Sequence, residues 1–205
     1  MLGSFLIFFG VISLFWNYYL GLRDEVYSDM KIAMMDSSYE PSNINDVITG
    51  APTADNVATD NTEAGSTYYE IDYSKYLGVL EIPKIGLKRG FYDVTSRYND
   101  IQYNVTMVQG STTPDVVNGN LILMAHSGDA YISYFAYLWR LNIGDMVYVT
   151  YHGVKYSYQI TNIYQVEKNG VVLIQRNYDK TSLTMITCTK DDDSSQTIYI
   201  SEQVG

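Results

Sequence analysis

The chain has 205 residues, of which 46% are hydrophobic, and a net charge of −10. This length allows one domain of ordinary size with appendages. Residues 24–70 carry ten acidic side chains and one lysine, whereas residues 71–205 carry thirteen acidic and eleven basic ones. No stretch offers the clustered Lys and Arg that phosphate contacts require, so we expect no nucleic-acid partner.

The first predicted element is a membrane span. Residues 2–20 are nearly all apolar or aromatic, and ~20 helical residues cross a hydrocarbon layer of ~30 Å. Trp16, Tyr18 and Tyr19 lie at one end, where aromatic rings favour the membrane interface. A cleaved signal peptide and a buried core helix are the alternatives, but no small-residue cleavage site follows and no polar face is present. We predict a single transmembrane anchor over residues 1–22.

An acidic linker is predicted over residues 23–67. Residues 26–35 are compatible with a short amphipathic helix, and residues 36–67 are mostly small and polar. Such a composition cannot bury enough apolar surface to offset the entropy of ordering, so a flexible tether is expected. Arg23 and Lys31 follow the span and no basic residue precedes it, which on the charge rule alone places the rest of the chain in the cytoplasm.

Short β-strands dominate residues 68–205, the predicted domain. Strands are expected at residues 77–83, 84–88, 89–94, 120–125, 146–151, 154–164, 165–175, 182–188 and 197–204. A helix or helical turn is predicted at residues 131–141, with Phe135, Leu138 and Leu141 as core anchors. About eight short strands and few helices indicate a mainly β fold, a closed barrel or a sandwich.

The single cysteine, Cys188, ends the apolar and β-branched run 183–188, and the polar run 189–195 follows it. This pattern places Cys188 where a buried strand meets a loop. His126 has the same position after the apolar run 120–125. An isolated thiol with a pKa of ~8.5 is only a few per cent ionised at neutral pH, so a nucleophilic cysteine needs a partner such as histidine. An inert core thiol is the alternative.

Metal sites and disulfides are restricted by the same residue counts. One cysteine cannot form an internal disulfide, and with His126 and His152 as the two histidines a zinc site would consist mostly of carboxylates. Asp191, Asp192 and Asp193 are calcium-ligand candidates, but three successive carboxylates cannot all face one ion, and a solvated loop is preferred. We expect no metal and no cofactor.

Residues 184–188 read Thr-Met-Ile-Thr-Cys and resemble the Thr-Leu-x-Thr-Cys motif of sortases, with Met in place of Leu. The histidine block 119–126, followed by Gly144 and Asp145, is also similar to this family, and so is the first strand at residues 78–85. The resemblance covers residues 76–204 in order and spacing and is closest to class A or class D. The preceding anchor and linker fit the family's architecture.

The resemblance implies a closed, eight-stranded sortase-like β-barrel behind a transmembrane helix, on the outside of a Gram-positive cell. It implies a cysteine transpeptidase that cuts a Leu-Pro-x-Thr-Gly-like sorting signal after Thr and holds the acyl group on Cys188. The acyl group would then pass to an amine on a peptidoglycan precursor or a pilin. The partners would be surface proteins with C-terminal sorting signals, and the domain would be extracellular, against the charge rule.

The resemblance also assigns roles to site residues. His126 would transfer protons, and Ile186 and Thr187 would line the substrate groove. Sortases carry an arginine on the last strand, and Gln196 stands at that position here. An amide donates a hydrogen bond without a charge, and losing an oxyanion donor costs ~10²–10³ in rate. Three other arginines are candidates to reach the site: Arg97, Arg140 and Arg176.

Two further functions remain open on the sequence. Gln196 favours a degenerate sortase fold that binds a sorting signal without efficient turnover, whereas the Cys188 and His126 pair favours the enzyme. A peptidoglycan-trimming transpeptidase with a Cys-His pair is the third hypothesis, disfavoured because the Ser-x-Gly-Cys context of such enzymes is absent around Cys188.

Overall fold

The structure, a computed structural model, describes residues 10, 12–13, 15–16, 18–23, 26–32 and 75–205. The described residues up to 32 are helical, and residues 75–205 form a β-domain. Its eight strands are β1 (Gly78–Ile82), β2 (Leu87–Phe91), β3 (Thr106–Met107), β4 (Asn120–Met124), β5 (Met146–Tyr151), β6 (Val154–Glu167), β7 (Ser182–Thr189) and β8 (Asp192–Gln203). Short 3-10 helices span Pro83–Ile85 and Leu138–Arg140.

The strands form one sheet in the order β2-β1-β5-β6-β8-β7-β4-β3. Neighbouring strands are antiparallel except β4 and β7, which run parallel. A bridge between Phe91 and Val105 joins the two ends of the sheet, so it curves into a nearly closed barrel. The mainly β, eight-stranded barrel is confirmed, although its seam is a single bridge because β3 has only two residues.

The barrel interior is filled by alternate residues of the strands, as the twofold periodicity of β-structure requires. Leu183 and Met185 of β7 point inward beside Leu121 and Leu123 of β4. The predicted core anchors are confirmed, since Phe135, Leu138 and Leu141 are all buried in the same cluster.

The other face of β4, β7 and β8 carries a second apolar group, here called the outer cluster: Ile122, Ile186, Ile198 and Ile200. The segment between β6 and β7, residues 168–181, passes over it. Val172 and Ile174 of this β6–β7 loop pack against the outer cluster, whereas Val171 and Leu173, which alternate with them, are exposed. The outer cluster is therefore covered by another segment of the same chain.

Several predicted boundaries differ from the structure. The two strands predicted at residues 84–88 and 89–94 are replaced by a 3-10 helix at Pro83–Ile85 and the single strand β2. Residues 165–175 were expected as a strand, but β6 ends at Glu167 and the alternation of residues 171–174 reflects packing on the outer cluster rather than strand pairing. The polar run 189–195 was expected as a loop, but β7 extends to Thr189 and β8 begins at Asp192. The hydrogen bonds of the hairpin outweigh the low strand propensity of Asp and Ser.

The described helical residues near the N-terminus contact the barrel. Lys31 donates a hydrogen bond of 2.6 Å to the Tyr92 hydroxyl, and the Tyr76 hydroxyl donates one of 3.4 Å to Ser28. Gly21 lies beside Tyr131, because a Cβ built at this glycine would be 3.5 Å from that of the tyrosine. Among the described residues, no helix is both long enough and apolar enough to cross a membrane. Most of the predicted anchor and linker lies outside the described residues.

Candidate active site

His126 and Cys188 are brought together by the parallel pairing of β4 with β7. Met124 at the end of β4 is the partner of Ile186, and the Ala125 amide still donates to the Ile186 carbonyl at 3.4 Å. His126 and Cys188 lie two residues beyond Met124 and Ile186, and their side chains share one face because side chains alternate along extended backbone. The sequence prediction placed both at strand ends; in the structure Cys188 is the penultimate residue of β7.

Two hydroxyl groups join the chains on either side of this pair. The Thr187 hydroxyl donates a hydrogen bond of 2.8 Å to the Ala125 carbonyl, and the Ser127 hydroxyl donates one of 2.9 Å to the Cys188 carbonyl. The first bond joins the neighbours of Cys188 and His126, and the second joins the residue after His126 to Cys188 itself. The His126 carbonyl also accepts from the Phe135 amide at 2.9 Å. The two backbones are thus fixed relative to each other.

His126 and Cys188 line one cavity of about 790 Å³. Aromatic side chains of residues 131–139 form one wall, and the turn between β7 and β8 forms another. The two walls meet where the Lys190 ammonium lies 3.8 Å from the centre of the Trp139 ring. Both reactive side chains are half-buried, so they are accessible from this cavity.

Gln196 lies directly opposite Cys188, because the two are paired residues of the antiparallel hairpin β7–β8. Their side chains therefore stand on the same face of the sheet. A cation also reaches the thiol: the Lys168 ammonium donates to the Cys188 sulfur at 3.2 Å. Lys168 follows the end of β6, the strand on the far side of β8.

A family profile, the Sortase domain, matches residues 80–203, more than half of the chain. The chain belongs to the sortase family. Membership of this family implies cysteine transpeptidase activity, and the catalytic roles of His126 and Cys188 stay predictions. A comparison with curated protein sequences gives no match.

Solved sortases share the fold. Sortase C1 of Streptococcus agalactiae is 27% identical with a TM-score of 0.59, over 66% of this chain and 70% of the other. A Sortase D5 transpeptidase of Clostridium perfringens is 21% identical with a TM-score of 0.56, over 66% and 83% of the two chains. A lid mutant of sortase A from Corynebacterium diphtheriae is 23% identical with a TM-score of 0.57, over 63% and 70%. The similarity thus extends to sortases named A, C and D.

The three arginines considered for the site of this sortase have other contacts. Arg176 donates to carbonyls that include those of Asn118 and Lys180. Arg140 lies over the rings of Tyr137 and Trp139, and Arg97 donates to the Tyr98 hydroxyl. Tyr137 and Trp139 line the cavity of His126 and Cys188, so Arg140 lies at its edge, whereas these contacts of Arg97 and Arg176 are with residues that do not line it.

The two predicted substrate-binding residues stand on opposite faces of β7. Ile186 shares the face of Cys188 and is buried in the outer cluster. Thr187 faces the interior, is also buried, and uses its hydroxyl to hold Ala125. Their contact with a substrate stays a prediction, and for Thr187 the structure shows a role in joining β4 to β7.

The turn after Cys188 is organised by Asp192. Its carboxylate accepts hydrogen bonds from the Ser194 hydroxyl and amide and from the Ser195 hydroxyl, which hold the pKa of the Asp192 carboxyl below its ordinary range. The Asp192 carboxylate therefore accepts its hydrogen bonds from these two serines. Within the part of the chain that the structure describes, no three His, Cys, Asp or Glu side chains come together as metal ligands.

Sequence reasoning missed Ser127 and Lys168. Ser127 directly follows His126, and a hydroxyl next to a predicted site residue is a signal that could have been used. Lys168 carries no local signal, since a lysine after an alternating strand is common. Its contact depends on β6 lying next to β8, which is a property of the sheet order.

Proposed function

We propose that this sortase cleaves a Leu-Pro-x-Thr-Gly-like sorting signal after Thr and transfers the protein to an amine of the cell wall or of a pilin. The observation that carries the proposal is that Cys188, near the end of β7, and His126, just after β4, lie at adjacent ends of two paired parallel strands and line one cavity. This arrangement provides a nucleophile and a proton-transfer group at a site that a peptide can enter.

The proposed reaction has two steps. The Cys188 thiolate attacks the Thr carbonyl carbon, a C–S bond forms, and the π electrons move to the oxygen. Collapse of this intermediate breaks the C–N bond, and His126 gives a proton to the leaving amine. A thioester remains on Cys188. An acceptor amine then attacks the thioester and loses a proton to His126, an amide forms, and the C–S bond breaks to release the thiolate.

The outer cluster supports a path for the sorting signal. It lies on the same face as Cys188, and its apolar side chains suit the Leu and Pro of the signal. Val172 and Ile174 now cover this surface, so a peptide that contacts Ile186 has to displace one of them. The predicted role of Ile186 in binding therefore depends on movement of the β6–β7 loop.

The same proposal includes a membrane anchor at residues 1–22 and an extracellular domain. Support comes from helical residues that leave large apolar side chains exposed, among them Phe15, Trp16 and Tyr18. Such a surface is stabilised when lipid covers it. Fractionation of cells should recover the chain with membranes, and protease added outside intact cells should degrade the domain. Recovery in the soluble fraction would contradict the anchor.

A transpeptidation assay tests the function. The full-length chain in detergent is incubated with Leu-Pro-x-Thr-Gly peptides and an amine such as triglycine, and mass spectrometry follows the products. We expect the ligated product from wild type and none from Cys188→Ala or His126→Ala. Peptides that bind without any turnover would favour the degenerate binding module instead, the alternative that the neutral Gln196 opposite Cys188 supports.

A further inference from the structure

The positive charge next to the Cys188 sulfur belongs to Lys168, the residue directly after β6. A cysteine thiolate is stabilised by a nearby cation. The residue opposite Cys188 is the neutral Gln196, and the Lys168 ammonium lies 3.2 Å from the sulfur. We infer that Lys168 is a catalytic residue of this sortase that pairs with the Cys188 thiolate. This inference rests on the proposed function of Cys188 as the nucleophile.

The backbone of Lys168 is fixed where β6 ends. Its amide donates to the Ser194 carbonyl at 2.8 Å, which continues the pairing of Glu167 with Ser195. The Asn169 amide donates to the Glu167 carbonyl at 3.0 Å, so the chain turns directly after the lysine. The side chain therefore extends across β8 from a defined position, on the face that carries Cys188.

Among the described residues, Lys168 forms no salt bridge with a carboxylate; salt bridges such as those of Lys84 with Asp145 and Lys155 with Glu81 lie elsewhere in the domain. Asp192, the ordered carboxylate of the nearby turn, is occupied by serine donors. The positive charge of Lys168 is thus directed at the sulfur.

The role of Lys168 is electrostatic. A hydrogen bond between an ammonium and an anion is stronger than one between neutral groups. Lys168 keeps its protons throughout the reaction, while His126 carries out both proton transfers. Gln196 is the residue paired with Cys188 and stands on the same face of the sheet, whereas the charge comes from Lys168 at the end of β6.

Alkylation of Cys188 by iodoacetamide tests this role without a peptide substrate. The full-length chain in detergent is assayed at neutral pH by intact mass. We expect Lys168→Gln to slow alkylation about tenfold, in line with the strength of charged hydrogen bonds, and Lys168→Arg to retain most of the rate. Lys180→Gln, near the other end of the β6–β7 loop, is the matched control and should alkylate like wild type. High salt should narrow the difference between wild type and Lys168→Gln.

A rescue variant separates charge from packing. In Lys168→Gln combined with Gln196→Arg, a cation stands directly opposite Cys188, and the alkylation rate should recover. Equal rates for wild type and Lys168→Gln, or equal losses in Lys168→Arg and Lys168→Gln, would overturn the inference. Because iodoacetamide needs no sorting signal, failure of the proposed function would be seen separately, as absent ligation product with the alkylation difference intact.

Discussion

At the scale of single residues, the site depends on two hydroxyl groups that hold the ends of β4 and β7 in register. The Thr187 hydroxyl donates to the Ala125 carbonyl, and the Ser127 hydroxyl donates to the Cys188 carbonyl. A displacement of about 1 Å between reacting groups can cost ~10² in rate. These two bonds therefore link the packing of β4 and β7 to the chemistry of His126 and Cys188.

Thr187→Val should lower the free energy of unfolding by about 1–3 kcal/mol, because the buried Ala125 carbonyl loses its partner. Thr187→Ser keeps the hydroxyl and should lose much less. Urea unfolding of the two variants measures the difference. Unchanged stability of Thr187→Val, together with a raised KM for the sorting peptide, would show instead that Thr187 contacts the substrate.

Ser127→Ala should slow acylation of Cys188 several-fold while the free energy of unfolding changes by only about 1 kcal/mol, since Ser127 is half-buried and its hydroxyl makes a single neutral hydrogen bond to the Cys188 carbonyl. The acylation rate is measured by intact mass in reactions with a sorting peptide that are stopped at successive times. The control is Ser111→Ala, because the Ser111 hydroxyl donates to the Val108 and Ile122 carbonyls away from the site. Equal acylation rates in the two variants would contradict a positioning role for Ser127.

His126 and Cys188 could be proposed from the sequence because apolar runs end beside them, and the structure places both at one cavity. The cation could not, since Lys168 reaches Cys188 across β8 from β6. Local patterns specify which residues form strands, and the order of strands in a barrel is decided by packing over the whole domain.

At the scale of elements, the β6–β7 loop is held over the outer cluster by Tyr164. Its hydroxyl donates to the Leu173 carbonyl and accepts from the Gln175 amide, both at 2.8 Å. Tyr164→Phe removes both bonds and keeps the ring. We expect faster hydrogen exchange of the loop amides, with a cost of about 1 kcal/mol per bond, and little change elsewhere.

The matched control for the loop is Tyr178→Phe, which removes an exposed hydroxyl from the same loop. Its exchange should equal that of wild type. If Tyr164→Phe also exchanged like wild type, the loop would be held by Val172 and Ile174 alone, and the two hydroxyl bonds would contribute nothing measurable.

The turn before β5 provides a pH-dependent element. Partial desolvation raises the pKa of Asp145, but hydrogen bonds from the Lys84 ammonium and the Asn142 amide outweigh it, so this pKa lies below its ordinary value. A lowered folded-state pKa stabilises the fold above the unfolded pKa, and this contribution is lost as the pH falls through the folded one. Asp145→Asn should lower Tm at neutral pH, and the difference should fade below pH ~4. A difference that persisted in acid would contradict the carboxylate's role.

The strands were predictable wherever one face alternates, as in β5 and β6. Residues 168–175 show why this signal is incomplete, because alternation there arises from packing without a paired strand. The start of β8 shows the opposite case: Asp192 pairs with Thr189 of β7 and Ser195 pairs with Glu167 of β6, although the composition of residues 192–195 is typical of a loop.

At the scale of the whole molecule, the helical residues 26–32 are attached to the barrel rather than separate from it. Lys31 lies 5.4 and 5.3 Å from the centres of the Tyr76 and Tyr92 rings in addition to its hydrogen bond. This segment belongs to the predicted linker 23–67, and its contacts place part of that linker on the domain surface. An anchor at residues 1–22 would then lie close to the barrel.

Lys31→Met should release this segment, since it removes the ammonium and keeps most of the stem. Cation–π contacts contribute about 0.5–1 kcal/mol each at exposed sites. We expect faster hydrogen exchange at residues 26–32 and an unchanged Tm of the barrel, with Lys88→Met on the exposed face of β2 as control. Equal exchange in both variants would show that the tyrosine contacts do not hold the segment.

The shared cavity of His126 and Cys188 depends on the whole fold, because the parallel β4–β7 pair exists only in the assembled sheet. The sequence motifs lie 62 residues apart, and the fold makes them neighbours. The resemblance predicted this arrangement, whereas composition and periodicity alone left a barrel and a sandwich equally open.

The most direct test of the account is to detect an acyl group on Cys188. The full-length chain is mixed with a Leu-Pro-x-Thr-Gly peptide without an acceptor amine, the reaction is stopped in acid within its first turnover, and intact mass and peptide mapping locate the adduct. We predict the mass of the peptide's acyl portion on Cys188, its loss when an amine is added, and no adduct in Cys188→Ala. An acyl group on another residue, or a peptide cleaved with Cys188 replaced by Ala, would contradict it.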